Sequence, residues 1–194
     1  MKRFAAVLTA ASLLALPACG TAASTYGVRP AAAGTVRAAA AGDVSADDVA
    51  FLQMMVAHNR QGMEMAGLVA DRSAREDVKE LAAEAGAAQR AEATAMARRL
   101  YGWDQPLTGG GHAHGDHAEL HATGPEEITT LRRMSGAAFD TRFLNVFIAH
   151  QHNAVEMARA EIRTGRNPQV LDLAHRIDRS RSELIRRMLA RLSS

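Results

Sequence analysis

A histidine followed seven residues later by a methionine occurs twice in this chain. His58 precedes Met65, and 92 residues further on His150 precedes Met157. Imidazole nitrogen and thioether sulfur together suit copper, especially Cu(I). The same residue types also pack helical cores, where methionine fills gaps and a buried histidine is hydrogen bonded. Copper binding and a structural role in the core are therefore both open interpretations of these pairs.

The sequence around the first histidine recurs around the second at the same offset and without a gap. Matched positions include Asp48 with Asp140, Phe51 with Phe143, Leu52 with Leu144, Leu81 with Leu173 and Met96 with Met188. Because the match extends well beyond the histidines, the repeated segment is a whole structural unit. A core that needed only apolar filling could accept leucine at these positions, so the repetition favours a ligand role.

Further candidate ligands differ between the two repeats. Met54 and Met63 add thioethers to the first repeat only. In the second repeat, His152 lies four residues before Glu156 and on another helix face than His150. His175 is expected opposite Met157 across the second helical hairpin. A cluster of His150, Met157 and His175 is therefore a possible metal site, and the two repeats are not expected to bind metal equally.

A glycine-rich connector between the repeats carries four of the eight histidines. These are His112, His114, His117 and His121. Histidine-rich tracts of this kind are typical of metal binding through imidazoles, with Asp116 and Glu119 as possible oxygen ligands. The composition does not distinguish copper from zinc or nickel. The alternative is a soluble linker without a metal.

The N-terminus has the pattern of an export signal. Lys2 and Arg3 precede an apolar run over residues 4–16, which is shorter than the roughly 20 residues of a membrane-spanning helix. Cys19 is the only cysteine, and it stands where a bacterial lipoprotein signal carries its lipid. We predict a signal peptide with a lipobox over 1–19 and a flexible tether over 20–44. An ordinary secretory signal is the alternative.

Charge and length restrict the partners and the domain count. The formal net charge of +2 lies in the two leader cations, so the mature chain is near neutral and gives no argument for nucleic acid. Residues 45–194 are enough for one domain with a good core. The expected partners are a metal ion and, through the lipid, the outer face of a bacterial membrane; a homo-oligomer is a further possibility.

Apolar spacing of three and four residues predicts helices throughout this domain. The expected helices cover approximately residues 45–70, 73–100, 126–135, 137–164 and 168–192. Repeat one (45–102) and repeat two (137–192) are each a helical hairpin, joined by a connector over 103–136. Two amphipathic hairpins bury their apolar faces by packing together. The predicted fold is an all-α, ferritin-like four-helix bundle.

The chain lacks the motifs of common catalytic sites. No glutamate is followed three residues later by histidine, as a di-iron bundle requires, and no nucleophile elbow or phosphate loop is present. We predict that the protein is not an enzyme. The alternative is a metal-dependent oxidoreductase, for which turnover of a substrate would have to be shown directly.

Three motifs resemble one bacterial family, the domain of unknown function 305. They are Phe51-Leu52-x-x-Met55-Val56-x-His58, Gln89-x-x-Glu92-x-x-x-Met96 and Leu131-x-x-x-Ser135-Gly136-x-x-Phe139-Asp140. The resemblance covers residues 45–192 and implies an exported, ferritin-like helical protein, with copper binding or copper tolerance in some members. The chain departs from the family where two adjacent histidines are usual, having Asn59 and Gln151 as the second residues. At the position of the second repeat that corresponds to Gln89, the chain has Arg181 and not a glutamine.

The function predicted from these features is extracytoplasmic copper binding or buffering through histidine and methionine, by ligand exchange. The alternative of a different class is an envelope interaction module in which the histidines and methionines are structural.

Overall fold

The computed structural model describes residues 44–109 and 123–193. The predicted signal peptide with Cys19, most of the tether, and the connector histidines lie outside these described residues; those histidines are His112, His114, His117 and His121. Within them the secondary structure is entirely helical, which confirms the predicted all-α fold. No helix among them is both long enough and apolar enough to cross a membrane.

Five helices make up the described chain. They are α1 (Ala46–Arg72), α2 (Glu76–Gly102), α3 (Pro125–Arg133), α4 (Gly136–Thr164) and α5 (Pro168–Leu192). Helices α1 and α2 form one hairpin and α4 and α5 the other, while the short α3 packs against α1 and α4. The hairpins therefore correspond to the two sequence repeats.

Local sequence explains where two of the helices begin. Ser45 and Asp48 form a capping box at the start of α1, in which each side chain accepts a hydrogen bond from the other residue's backbone N–H. At the start of α5 the Asn167 side chain accepts from two backbone N–H groups, and Pro168 occupies the first turn. The predicted helix starts near residues 45 and 168 coincide with these caps.

The hairpins pack with α1 antiparallel to α4. Asp48, at the start of α1, accepts hydrogen bonds at 3.0 Å from the backbone N–H groups of Arg166 and Asn167, beyond the end of α4. Asp140, its counterpart at the start of α4, accepts one at 3.2 Å from Ala74, beyond the end of α1. Each repeat thus caps the turn of the other, so an approximate two-fold axis relates them.

Two apolar clusters fill the bundle, one toward each end. The Phe143 cluster includes the stacked rings of Phe139, Phe143 and Phe147. The Phe51 cluster includes Met96, Leu100, Ala154 and Val170. Both are made largely of side chains with under a tenth of their surface exposed. Polar side chains occupy the region where α1 crosses α4.

Candidate functional site

The two repeat histidines meet at the crossing of α1 and α4. The His58 and His150 rings are stacked, with centroids 3.7 Å apart and planes 10° apart. His58 Nε2 lies 3.1 Å from the backbone oxygen of His150, and since a carbonyl only accepts, His58 carries its proton on Nε2 and donates. Both side chains are buried.

His150 is held as a neutral imidazole. Burial lowers its pKa well below the usual value, and the neighbouring His58 and Arg181 lower it further. Its Nδ1 lies 3.0 Å from the Thr123 hydroxyl oxygen. Its Nε2 is buried without a hydrogen-bond partner among the described residues. When Nδ1 carries the proton, Nε2 presents a lone pair, which is the form in which histidine binds metals.

Gly62 provides the space in front of this nitrogen. A Cβ added at Gly62 would lie 2.7 Å from His150 Nε2 and 2.7 Å from Gln89 Nε2. Real Cβ atoms do not approach buried nitrogen atoms so closely. The glycine therefore allows the α1 backbone, the imidazole and the Gln89 amide to meet at the centre of the bundle.

We predict that Gly62→Ala destabilises the protein although alanine is the better helix former. Overpacking a buried site costs about 1 to 3 kcal/mol, which exceeds the gain in helix propensity of up to about 1 kcal/mol. Gly67→Ala on the same helix is the matched control, because nothing lies within 4 Å of its added Cβ. Urea denaturation should show a loss at Gly62 and a gain at Gly67; stabilisation at both positions would contradict the close packing described.

Buried polar side chains form a layer around the two histidines, which we call the central polar layer. It consists of His58, Asn59, Gln89, His150, Gln151 and Arg181. Arg181 is only 2% exposed, and its Nη2 lies 2.5 Å from Glu92 Oε2 at the edge of the layer. Asn59 donates to the same oxygen at 3.1 Å. Burial lowers the pKa of Arg181, and Glu92 partly opposes this.

The two predicted methionine ligands lie in different parts of the bundle, although the two histidines contact each other. Met65 packs in the Phe143 cluster and Met157 in the Phe51 cluster. Each methionine follows its histidine by two helical turns, or about 10 Å. Because α1 and α4 are antiparallel, those turns lead toward opposite ends of the bundle. The two His–Met pairs therefore do not converge on one four-donor centre.

The remaining helical candidates lie further from the centre. Met54 and Met63 are half-buried, and His152 and His175 are exposed. His175 thus faces solvent, whereas His150 and Met157, its proposed partners, are buried. Across residues 44–109 and 123–193, no group of three or more His, Cys, Asp or Glu side chains could hold a metal ion. Metal binding by these helical residues stays a prediction.

Glutamine side chains of α1 hold Pro106 and Thr123, which flank the histidine-bearing part of the connector and are called the connector ends below. Gln53 Nε2 donates to the Pro106 carbonyl at 2.9 Å. Gln61 makes two hydrogen bonds with the Thr123 backbone, donating to its oxygen at 2.7 Å and accepting from its N–H at 2.8 Å. Neither glutamine was among the predicted functional residues, although the repeat has amides at the equivalent positions, Asn145 and Asn153.

An open pocket of about 330 Å³ reaches His150 from solvent. Thr123, Gly124 and Glu127 form one wall. The other wall is α4, through Arg142, Asn145, Val146, Ala149, His150 and Asn153. The pocket therefore brings solvent-accessible space to the histidine whose Nδ1 is bonded to Thr123.

Comparison with known proteins gives one family and several similar structures. Residues 48–192 match the family described as Domain of unknown function (DUF305). The chain is 25% identical to a DUF305 fragment from Deinococcus radiodurans, with a TM-score of 0.70 and coverage of 77% of this chain and 97% of that one. No curated protein matches.

Two further structures have the same fold. A DUF305 protein from Streptomyces coelicolor is 24% identical, with a TM-score of 0.72 and coverage of 77% and 94%. CopM, solved in its Cu(II)-bound form, is 26% identical, with a TM-score of 0.62 and coverage of 75% and 95%.

Proposed function

The chain belongs to the DUF305 family, and on that premise we propose that it is an extracytoplasmic copper-binding protein that buffers or passes on the ion by ligand exchange, without turnover of a substrate. The similarity to CopM, which binds Cu(II), supports copper as the cargo. The predicted export signal and the position of Cys19 support attachment to the outer face of a bacterial membrane.

The primary ligands in this proposal are the four connector histidines. They are His112, His114, His117 and His121. The described helices contain no group of three or more His, Cys, Asp or Glu side chains able to hold a metal. In the bundle centre, moreover, the two imidazole rings are stacked face to face and do not point toward a common atom. The connector offers the imidazoles that such a site needs.

The observation that carries this assignment is the attachment of both connector ends to α1. Gln53 and Gln61 stand eight residues apart, which is about 12 Å along a helix. Holding the ends of a loop close together reduces the entropy lost when its side chains gather around an ion. The bundle would therefore contribute to affinity as a scaffold, without supplying the ligands itself.

We predict that deleting residues 109–122 weakens Cu(II) binding by about 100-fold or more, because the deletion removes all four connector imidazoles at once. A titration of residues 43–194 and of the deletion variant with Cu²⁺ against a competing chelator measures this. Gln61→Ala should weaken binding by about 10-fold, as expected for the loss of a group that orients ligands. Asn153→Ala, the repeat equivalent of Gln61, is the matched control and should leave the affinity unchanged.

Two other results would redirect the assignment. Tight binding that survives the deletion would place the ion on the helices, with His58, Met65, His150 and Met157 as ligands. No binding by either protein would favour the interaction module, in which the buried histidines only stabilise the bundle. Affinity carried by the connector should also fall as the pH drops through about 6.5, the ordinary pKa of a free imidazole.

A further inference from the structure

The central polar layer is not the same in its two halves. The repeat that relates His58 to His150 also relates Gln89 to Arg181. Both side chains are almost fully buried. The first repeat thus contributes a neutral amide to the layer, whereas the second contributes a guanidinium. Arg181 is the one cation among the residues of this layer, and the sequence repeat shows that a glutamine fits an equivalent place.

Arg181 is paired with a carboxylate at the edge of the layer. Its Nη2 lies 2.5 Å from Glu92 Oε2, and the Glu92 side chain is 19% exposed. The charge also reaches the imidazole, because Arg181 is among the groups that disfavour protonation of His150. A positive ion at the centre would meet the same repulsion from a fixed cation at low dielectric.

Donors for a cation are nevertheless present at the centre. His150 Nε2 and Gln89 Oε1 are both buried without a hydrogen-bond partner among the described residues. Both face the same point of the α1 backbone, because a Cβ added at Gly62 would lie 2.3 Å from Gln89 Oε1 and 2.7 Å from His150 Nε2. Glu92 follows Gln89 by three residues on the same face of α2. Together the three side chains would supply nitrogen and oxygen donors, which suit Cu(II) or Zn(II) better than Cu(I).

We propose that the bundle centre is a latent divalent-cation site, with His150, Gln89 and Glu92 as its ligands, and that Arg181 keeps it closed by acting as a built-in cation paired with Glu92. Replacing Arg181 by a neutral residue would free the Glu92 carboxylate to bind an ion. It would also remove the repulsion between the guanidinium and that ion. Arg181 is thus a residue that determines where on the protein metal can bind. The proposal does not depend on copper binding by the connector.

The test uses the full chain with the four connector histidines changed to glutamine, so that any ion bound is held elsewhere. Equilibrium dialysis with Cu²⁺ alone should show about one more ion per chain in Arg181→Gln than in the same chain with Arg181. Arg181→Lys is the matched control, since it keeps the cation and should bind no additional ion. Cu²⁺ should raise the melting temperature of the glutamine variant only.

Two further variants identify the ligands. Adding His150→Ala or Glu92→Gln to Arg181→Gln should abolish the additional ion. The proposal is overturned if the folded glutamine variant binds no more Cu²⁺ than the lysine variant, or if the additional ion persists without His150. Circular dichroism establishes that each variant is folded. If Arg181→Gln prevents folding, Arg181→Met removes the positive charge in the same way and takes its place in the test.

Discussion

Glu161→Gln is expected to abolish a loss of stability that the native protein undergoes as the pH rises from about 5 to 8. Glu161 is 2% exposed, near the end of α4. Burial raises its pKa to about 8, and a hydrogen bond with Asp48 together with the charges of Asp48 and Asp47 contributes to the increase. At neutral pH the Glu161 carboxyl therefore carries a proton, which it donates to Asp48.

Asp48 is the ionised partner in this pair. Burial alone would raise its pKa, but hydrogen bonds from Ser45 and Asn167 outweigh burial and lower the pKa below its usual value. The carboxylate accepts from the Ser45 backbone at 2.6 Å and from the Ser45 hydroxyl at 2.7 Å. The proton is thus held on Glu161 because Asp48 already has donors that favour its charged form.

The sign of the pH effect follows from the two pKa values. An ordinary glutamate loses its proton near pH 4.5, whereas folded Glu161 keeps its proton up to about pH 8. Between these values the folded state binds more protons than the unfolded state, so stability falls as the pH rises. The full shift would correspond to a loss of about 5 kcal/mol. We expect a loss of about 2 to 3 kcal/mol, because relaxation and water penetration around a buried carboxylate reduce the penalty of ionising it.

Urea denaturation at intervals from pH 5 to pH 9 measures this loss. Glutamine is always neutral and can donate to Asp48, so the variant should be more stable than the native protein at pH 8. Glu156→Gln, which removes an exposed carboxyl from the same helix, is the control and should not change the pH profile. His150 acts in the opposite direction below pH 6.5, where unfolding exposes an imidazole that takes up a proton. Parallel profiles for the native protein and Glu161→Gln would contradict the assignment.

Glu92→Met alone is expected to lower the free energy of unfolding by about 3 kcal/mol or more, because it leaves the Arg181 guanidinium buried without a counter-charge. The reverse change, Arg181→Met, should cost about 1 to 2 kcal/mol, since Glu92 is partly exposed and keeps its hydrogen bond from Asn59. Replacing both residues by methionine should cost less than Glu92→Met alone. Buried ion pairs exchanged for apolar side chains of similar size are often close to neutral.

A double-mutant cycle on these three variants measures the coupling. We expect an interaction of at least about 2 kcal/mol, since contacting buried charges are strongly coupled. The exposed pair of Arg187 and Glu84, at 2.7 Å between Nη2 and Oε2, is the matched control. Its interaction should stay below about 1 kcal/mol because solvent screens it. Equal coupling energies for the two pairs would show that burial at the centre does not strengthen the ion pair.

Much of the helical structure could be predicted from the sequence because the information is local. The period of apolar residues identified the two hairpins and the short helix, and the predicted starts near residues 45 and 168 coincide with the caps at Ser45 and Asn167. Asp48 and Asp140 were recognised only as repeated positions. Their role in capping the turn of the opposite hairpin depends on residues more than 60 positions away.

The candidate site was only partly predictable for the same reason. Glu161 has no charged equivalent in the first repeat, where Val69 occupies the position, and its proton depends on Asp48 from another helix. The attachment of the connector by Gln53 and Gln61 likewise joins distant segments. No spacing along the chain encodes such pairs.

The two similar helical hairpins, each with a histidine and a methionine two turns apart, follow from the sequence alone. How these residues meet depends on the packing of one hairpin against the other. Antiparallel packing of two equivalent helices about an approximate two-fold axis brings together the residues nearest the axis, which here are His58 and His150. Residues displaced along each helix move apart in opposite directions, which is why Met65 and Met157 belong to different clusters.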